Sequence, residues 1–274
     1  MNFFSKLRDT IEPIIEKSFK NSSFIRSVQY FLISHLGLNW WRLTDKDETR
    51  ILEQLIKPGM TVVDIGANIG YYSLLFARCV GPHGKVFAFE PDPTNLELLK
   101  KNVERSGQNN IIIIPRAVTH CSGKIELYLC QYNPGDHRIF DSHDGRAHIS
   151  IPSVSLDDYF LNLKSPIDFI KIDVQGAEDS VVCGMSRLLD DSIISEKLSI
   201  LTEFWPYGLK RMGGDPQTYL KRLEKSGFSI KQLNPDTHQL EPADIPSLIQ
   251  MKPLKYNYIN LLCCRDGGKM NKIF

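Results

Sequence analysis

One carboxylate and two glycines form a motif whose spacing suits nucleotide chemistry. An apolar run over residues 61–65 contains Asp64, and Gly66 and Gly70 follow it four residues apart. This order predicts a strand, a tight turn and a helix, with bare backbone where a ligand can lie. A second apolar run ends at Glu90, twenty residues after Gly70. A carboxylate at that point can accept hydrogen bonds from both ribose hydroxyls, so the motifs predict an adenosine-bearing cofactor.

The charge of the turn separates two candidate cofactors. A dinucleotide needs open amides and a helix N-terminus for its pyrophosphate. Asp64 would lie beside that pyrophosphate, and Asn68 stands where the dinucleotide pattern G-x-G-x-x-G has its second glycine. A carboxylate repels phosphate and favours a cation. S-adenosylmethionine carries a sulfonium and an ammonium group and no phosphate, so the sequence favours it over NAD.

Asp173 is the first candidate for acid–base chemistry. It ends an apolar run over residues 167–173, at the edge where a parallel sheet binds its ligands. Because side chains alternate along a strand, Lys171 and Asp173 share one side of it. Asp173 is expected to act as a base or to hold the acceptor, and capping of the next helix is the alternative. His137, in the polar loop 131–147, is a second candidate base.

Four further residues are candidates for acceptor binding because they lie in loops expected at the same rim. They are Arg138, Gln175, Glu203 and Trp205. Ordinary rim packing explains an aromatic residue such as Trp205 equally well. The same polar loop contains Asp141, His143 and Asp144. Their irregular spacing favours a solvated loop, so no metal is expected.

Composition limits the possible partners. Lys and Arg number 33 against 32 Asp and Glu, a net charge of +1, so no nucleic-acid substrate is expected. The 42% hydrophobic and 24% charged residues are ordinary for a soluble protein. The six cysteines show no C-x-x-C spacing, which favours a reducing cytoplasm.

Residues 1–43 differ from the rest of the chain. Their apolar residues recur at spacings of three and four, which predicts two amphipathic helices with more basic than acidic residues. A helical extension that packs on the core or on a second subunit is expected, and peripheral membrane contact is the alternative. No apolar run approaches the roughly 20 residues of a membrane span.

Strand-like and helix-like segments alternate over residues 44–274, which predicts a single α/β domain with a doubly wound, mostly parallel, Rossmann-like sheet. An insertion is expected at 124–154, an antiparallel edge from residues 228–233 and 256–264, and a loop at 234–255. The predicted core strands are 61–65, 85–90, 111–115, 167–173 and 198–204, and the predicted helices are 45–56, 71–80, 94–106, 177–189 and 216–226.

Five stretches resemble motifs of the FkbM-type methyltransferases, a branch of the class I S-adenosylmethionine-dependent fold. They follow the family's order within residues 60–190, and the ends of the chain are not covered. Gln175 replaces an acidic residue usual in the family, and residues 135–138 replace small hydroxyl residues. The stretches are 64–70 (DIGANIG), 89–93 (FEPDP), 117–118 (AV), 155–158 (SLDD) and 171–178 (KIDVQGAE).

The resemblance implies a role for each residue of the cofactor site. Gly66, Asn68 and Gly70 would bring the backbone close to the methionine end, whose amino group Asp64 would orient. Tyr71 would contact the carboxylate end, and Glu90 would hold the ribose. The adenine slot would be lined by Pro91, Asp92, Ala117 and Val118.

The segment Asp173-Val174-Gln175-Gly176 stands where amino-group methyltransferases of this fold often carry N-P-P-[YF]. A carboxylate suits deprotonation of a hydroxyl better than binding of a neutral amine. O-methylation of a glycan, glycolipid or secondary-metabolite acceptor is therefore expected. The alternatives are an NAD-dependent oxidoreductase and a non-catalytic, cofactor-binding or membrane-associated scaffold that uses residues 1–43.

Overall fold

The computed structural model describes residues 46–131, 133–163, 165–191, 196–234, 239–254 and 257–265. The helices expected in residues 1–43 lie outside the described residues. Within this part of the chain, no helix is long and apolar enough to cross a membrane.

Strands and helices alternate through the first half of the domain. They run in the order α1 (Lys46–Leu55), β1 (Thr61–Ile65), α2 (Tyr71–Val80), β2 (Lys85–Phe89), α3 (Pro93–Ser106) and β3 (Ile111–Ile114). Three further strands, β4 (Ala117–Val118), β5 (Gly123–Tyr128) and β6 (His148–Val154), then form a separate small sheet in the order β4-β6-β5.

The second half returns to the large sheet. Its elements are α4 (Leu156–Tyr159), β7 (Phe169–Ile172), α5 (Glu178–Cys183), α6 (Ser186–Asp190), β8 (Ser199–Phe204), α7 (Pro206–Arg211), α8 (Pro216–Lys225), β9 (Ser229–Leu233), β10 (Leu240–Pro242), α9 (Ile245–Ile249) and β11 (Ile259–Cys264).

The eight strands of the large sheet are ordered β10-β9-β11-β8-β7-β1-β2-β3. The strands from β8 to β3 are parallel, and β11 pairs antiparallel with both β8 and β9. The chain passes from β1 outward to β3 and resumes on the other side of β1 with β7. Ligands bind beyond the strand ends at such a switch point, so the predicted doubly wound α/β fold is confirmed and places a site beside β1 and β7.

Apolar residues cover both faces of the sheet. Val63 packs in one buried cluster with β7 and α5, and Val62 packs in the other with α1 and α2. Cys263 and Cys264 likewise point into opposite clusters, as the alternation of side chains along a strand requires. This burial on both faces explains why the parallel strands read as continuous apolar runs.

Two predictions for the second half were wrong in detail. The helix expected over 177–189 is two helices with a break at Gly184, whose carbonyl accepts the amide of Asp157 from outside the helix. The region 234–255 was expected to be a loop but contains β10 and α9, the latter capped by the Asp244 side chain. The antiparallel edge expected from residues 228–233 and 256–264 is confirmed, since β11 pairs antiparallel with β9 and β10 extends the sheet beyond β9.

Candidate active site

A cavity of about 340 Å³ opens at the carboxyl ends of β1, β2 and β7. Most of the residues predicted for the site line it. They are Gly66, Asn68, Tyr71, Glu90, Pro91, Ala117, Val118, His137, Asp173, Gln175 and Glu203. Five predicted residues lie behind the wall instead, namely Asp64, Gly70, Asp92, Arg138 and Trp205.

The turn after β1 presents its backbone to the cavity. The amides of Gly66 and Ala67 both donate to the carbonyl of Phe89, which ties the turn to β2. Asn68 adopts a left-handed conformation with φ 51°, and its side-chain oxygen accepts a hydrogen bond from the next amide at 2.7 Å. Gly70, at φ 94°, precedes α2 and packs on Leu99. The turn is therefore fixed from both sides before any ligand binds.

Glu90 follows β2 and forms the acidic wall of the cavity. Its two carboxylate oxygens each accept one backbone amide, from Asn68 at 2.7 Å and from Asp92 at 2.9 Å. Burial raises the pKa of Glu90 to about 7 despite these hydrogen bonds. The Asn95 side chain also hydrogen-bonds Glu90, and the lone-pair capacity that remains on the carboxylate can accept a hydroxyl from the cavity side.

Asp64 supports the site from below. Its side chain is fully buried, Oδ2 accepts the hydroxyl of Ser73 at 2.6 Å, and Oδ1 lies 4.0 Å from Nζ of Lys171. Burial raises the pKa of Asp64, and the Lys171 ammonium opposes that shift. The structure thus places this carboxylate between β1, α2 and β7, and not in direct reach of a ligand in the cavity.

Asp173 presents a carboxylate to the cavity beyond the end of β7. Oδ2 accepts a hydrogen bond from Lys171 Nζ at 3.1 Å, and Oδ1 accepts one from Gln175 Nε2 at 2.9 Å. The side chain is 41% exposed, whereas that of Lys171 is 6% exposed. Gln175 reaches this position because its backbone is left-handed, with φ 53°. Two donors therefore orient a carboxylate that an acceptor can still approach.

His137 lines the cavity but has no free lone pair for a substrate proton. Its Nδ1 accepts the backbone amide of Cys130 at 3.0 Å, so the neutral ring carries its proton on Nε2. That Nε2 lies 3.8 Å from Asp92 Oδ2. Burial lowers the pKa of His137, which favours the neutral ring. The geometry assigns His137 to fixing the loop rather than to taking a proton.

Asp92 acts as the N-cap of α3. Its Oδ1 accepts the amide of Asn95 at 2.8 Å, and the side chain is 5% exposed. The adenine contact expected from Asp92 is consequently left to its neighbour Pro91, which lines the cavity.

The loop 131–147 spans the cavity from the cofactor turn to the end of β8. At one end, the carbonyl of Pro134 accepts hydrogen bonds from the side chains of Asn68 and Asn95. At the other end, the buried guanidinium of Arg138 lies over the Trp205 ring, 4.8 Å from its centroid, and is bonded to Asp136. Arg138 and Trp205, expected to touch an acceptor, thus join the loop to the sheet.

Two cationic residues, Lys171 and Arg116, are among the lining residues that sequence reasoning missed as parts of the site. The sequence signal for Lys171 was its position two residues before Asp173, which places both residues on the same side of the strand. Arg116 is exposed and lines the cavity beside Ala117, but no motif marked it. No group of three or more potential metal ligands occurs in the described ranges.

Comparison with known proteins decides the family. Residues 64–230 match the model of the methyltransferase FkbM domain. The chain belongs to this family. Membership sets aside the oxidoreductase alternative and confirms the resemblance found in the motifs.

This FkbM-domain chain is similar to two curated methyltransferases and to one solved methyltransferase structure. It is 26% identical over 207 residues to the hexuronic acid methyltransferase AglP of Haloferax volcanii, covering 72% of this chain and 77% of that protein. It is 35% identical over 88 residues to a probable cobalt-precorrin-6B C(15)-methyltransferase of Sulfurisphaera tokodaii, covering 30% and 46%. The crystal structure of methyltransferase FkbM from Methylobacillus flagellatus matches with TM-score 0.45 and 14% identity, covering 94% and 58%.

The relatives differ in how much of their length is matched. The chain spans less than half the length of the cobalt-precorrin enzyme and of three protein-L-isoaspartate O-methyltransferases, from Methanococcoides burtonii, Methanothrix thermoacetophila and Aeropyrum pernix.

S-adenosylmethionine is the cofactor, and the cavity of this FkbM domain fits it. Glu90 offers two oxygens to a ribose, and the apolar wall of Ala117 and Val118 suits an adenine ring. The turn at Gly66 exposes backbone without a side chain, which lets the methionine end lie close. The cavity volume is within the range of cofactor sites.

Proposed function

We propose that the chain is an S-adenosylmethionine-dependent O-methyltransferase that modifies a hydroxyl on a glycan, glycolipid or secondary-metabolite acceptor. The observation that carries this proposal is the Asp173 carboxylate, half-exposed at the cavity wall and held by Lys171 and Gln175. The similarity to a hexuronic acid methyltransferase over 77% of that protein supports a sugar-like acceptor.

The chemistry needs little from the protein beyond position and a proton acceptor. When bound, the cofactor would supply an electrophilic methyl group whose carbon–sulfur bond breaks as the carbon–oxygen bond forms, and the sulfur would leave as a neutral thioether. Asp173 accepts a hydrogen bond from the acceptor hydroxyl and takes its proton in that step. Tyr71 and Glu203 also line the cavity and are proposed to position the methionine end and the acceptor, respectively.

The test uses cofactor labelled with ¹³C at the transferred methyl group. The full-length protein is incubated with this cofactor and a panel of neutral glycosides, hexuronosides and amino sugars, and products are read by two-dimensional NMR. O-methyl and N-methyl carbons resonate in separate regions. An O-methyl product supports the proposal. Transfer only to nitrogen or carbon contradicts it, and cofactor binding without any transfer favours the scaffold alternative.

Membrane contact or dimerisation through residues 1–43 stays a proposal, motivated by the amphipathic pattern alone. Vesicle co-sedimentation and the sedimentation coefficient of the full chain, each compared with a chain lacking residues 1–43, test it. Unchanged behaviour in both measurements contradicts it.

A further inference from the structure

Lys171 is a buried cation that the proposed chemistry does not yet use. It lies on β7 directly opposite Asp64 in the register of β1, and its side chain is 6% exposed although it forms part of the cavity wall. An ammonium group taken out of water costs several kcal/mol unless it is paired and hydrogen-bonded. The residues around it therefore have to supply that compensation.

Three groups surround the ammonium. It donates to Asp173 Oδ2 at 3.1 Å, lies 4.0 Å from Asp64 Oδ1, and sits 4.6 Å from the centroid of the Tyr72 ring. Asp64 Oδ1 is buried and has no hydrogen-bond partner among the described residues, so its remaining compensation is the facing ammonium. Glu48 of α1 adds a more distant negative charge.

The two carboxylates differ in what they face. Asp64 is fully enclosed, while Asp173 opens to the cavity, and Lys171 links one to the other. Burial alone would lower the pKa of Lys171, but the carboxylates of Asp173 and Asp64 outweigh it and the pKa is raised. The lysine is consequently charged, and the three side chains form a row of alternating charge that runs from the buried Asp64 to the cavity.

We propose that Lys171 is the positioning residue of the acceptor site, acting through its salt bridge to Asp173. This inference rests on the proposed O-methyltransferase function and adds a residue to it. The ammonium holds Oδ2 of Asp173 at the cavity wall through their hydrogen bond. The Asp64 carboxylate, clamped by Ser73, in turn holds the ammonium in place. Gln175 fixes the other oxygen, so the free lone pairs of Asp173 face the acceptor.

The row of Asp64, Lys171 and Asp173 also connects the proposed cofactor site to the proposed acceptor site. Asp64 belongs to the strand that feeds the cofactor turn, and Asp173 belongs to the strand end where the acceptor is proposed to bind. A purely structural lysine would stabilise the fold without controlling the Asp173 carboxylate. A measurement made on Asp173 itself therefore distinguishes a structural role of Lys171 from a positioning role.

The test measures the chemical shift of the Asp173 carboxyl carbon by NMR at constant pH, on protein labelled with ¹³C in the aspartate carboxyl groups. The resonance is assigned by its absence in Asp173→Asn. The matched pair is Asp64→Asn and the double variant Asp64→Asn/Lys171→Met, because neither leaves an uncompensated carboxylate at position 64 and only the lysine differs. Asp64→Asn/Lys171→Arg restores a cation. Thermal unfolding of each variant establishes that it is folded.

Loss of the lysine is expected to move the Asp173 carboxyl resonance, because Oδ2 loses its hydrogen bond from the ammonium, and arginine is expected to reverse most of that change. The charged groups that face Asp173 besides Lys171 are Asp64 and Glu178, and both are constant within the pair. A resonance position that is the same with and without Lys171 overturns the inference, as does a change that arginine leaves in place.

Binding of S-adenosylhomocysteine, measured by calorimetry, separates this inference from the proposed function. Asp64→Asn/Lys171→Met and Asp64→Asn/Lys171→Arg are each expected to differ in affinity from Asp64→Asn by less than about threefold, under 1 kcal/mol. Loss of binding in the Met and Arg double variants alone would place Lys171 in the cofactor contact and overturn its positioning role. Loss of binding in wild type would instead refute the cofactor site, while the NMR comparison would still decide on Lys171.

Discussion

The backbone oxygen of Asp173 lies 1.9 Å from the point where a Cβ atom on Gly66 would stand. The turn after β1 and the residue after β7 are therefore in direct backbone contact, and the amide of Asp173 also donates to Ile65 at 3.1 Å. Only glycine fits at position 66, where φ is +78°. The cofactor turn and the proposed acceptor carboxylate are thus built as one rigid unit.

Gly66→Ala is expected to lower the free energy of unfolding and to abolish cofactor binding. The left-handed backbone alone costs an alanine about 1–2 kcal/mol, and the clash with Asp173 adds to this. Urea unfolding and calorimetry with S-adenosylhomocysteine measure the two effects. Gly107→Ala is the control, since it has φ +68° and no atom within 4 Å of its Cβ position. Equal losses in both variants would show that the close contact is unimportant.

Asp173→Asn and His137→Asn distinguish the two candidate bases. Replacing Asp173 is expected to lower kcat by about 10²- to 10⁴-fold, because the proton acceptor is lost. An asparagine at position 137 can still accept the Cys130 amide, so its kcat is expected to fall by less than about tenfold. The rates are measured with the acceptor found in the labelled-methyl assay. The opposite order of effects would make His137 the base.

Protein stability is expected to fall as pH rises from about 4.5 to about 7. Burial raises the pKa of Glu90 and of Glu178 to about 7 from an ordinary 4.5. The folded state therefore keeps protons that the unfolded state has released, and the stability they contribute is lost across this window. Each group contributes at most about 1.4 kcal/mol per pH unit.

Urea unfolding between pH 4.5 and 8 measures this slope. Glu90→Gln and Glu178→Gln are each expected to flatten it, and Glu97→Gln, on the exposed face of α3, controls for the loss of one charge. A slope that both buried variants leave unchanged would contradict the raised pKa values.

Arg138→Met is expected to lower protein stability, whereas Arg116→Met is expected to weaken cofactor binding. Arg138 is 3% exposed and bonded to Asp136, so its loss should cost about 1–3 kcal/mol of stability and speed amide exchange in the loop 131–147. Arg116 is exposed at the cavity, so its loss should weaken cofactor binding with little change in stability. Weakened cofactor binding in a folded Arg138→Met protein would show that this arginine contributes to the binding site.

The helices and strands that frame the cavity could be predicted because their signals are local. The strands that lead to Gly66, Glu90 and Asp173 are largely buried on both faces and thus mostly apolar. A continuous helix was predicted over 177–189 because the periodicity is unbroken, whereas the break lies at Gly184, whose carbonyl accepts the amide of Asp157, distant in sequence. The helix Ile245–Ile249 was missed because it has only five residues.

The sequence by itself determined where the strands lie along the chain, the glycine turn, and the two carboxylates that follow β2 and β7. All of these depend on neighbouring residues. Only the tertiary structure decided which side chains reach the cavity. In the folded protein, Asp64 contacts Ser73 and Lys171, and Arg138 lies over the Trp205 ring. Nδ1 of His137 accepts a backbone amide. The physical reason is that a buried charge or ring nitrogen takes the nearest partner in space, and that partner lies on another element of the chain.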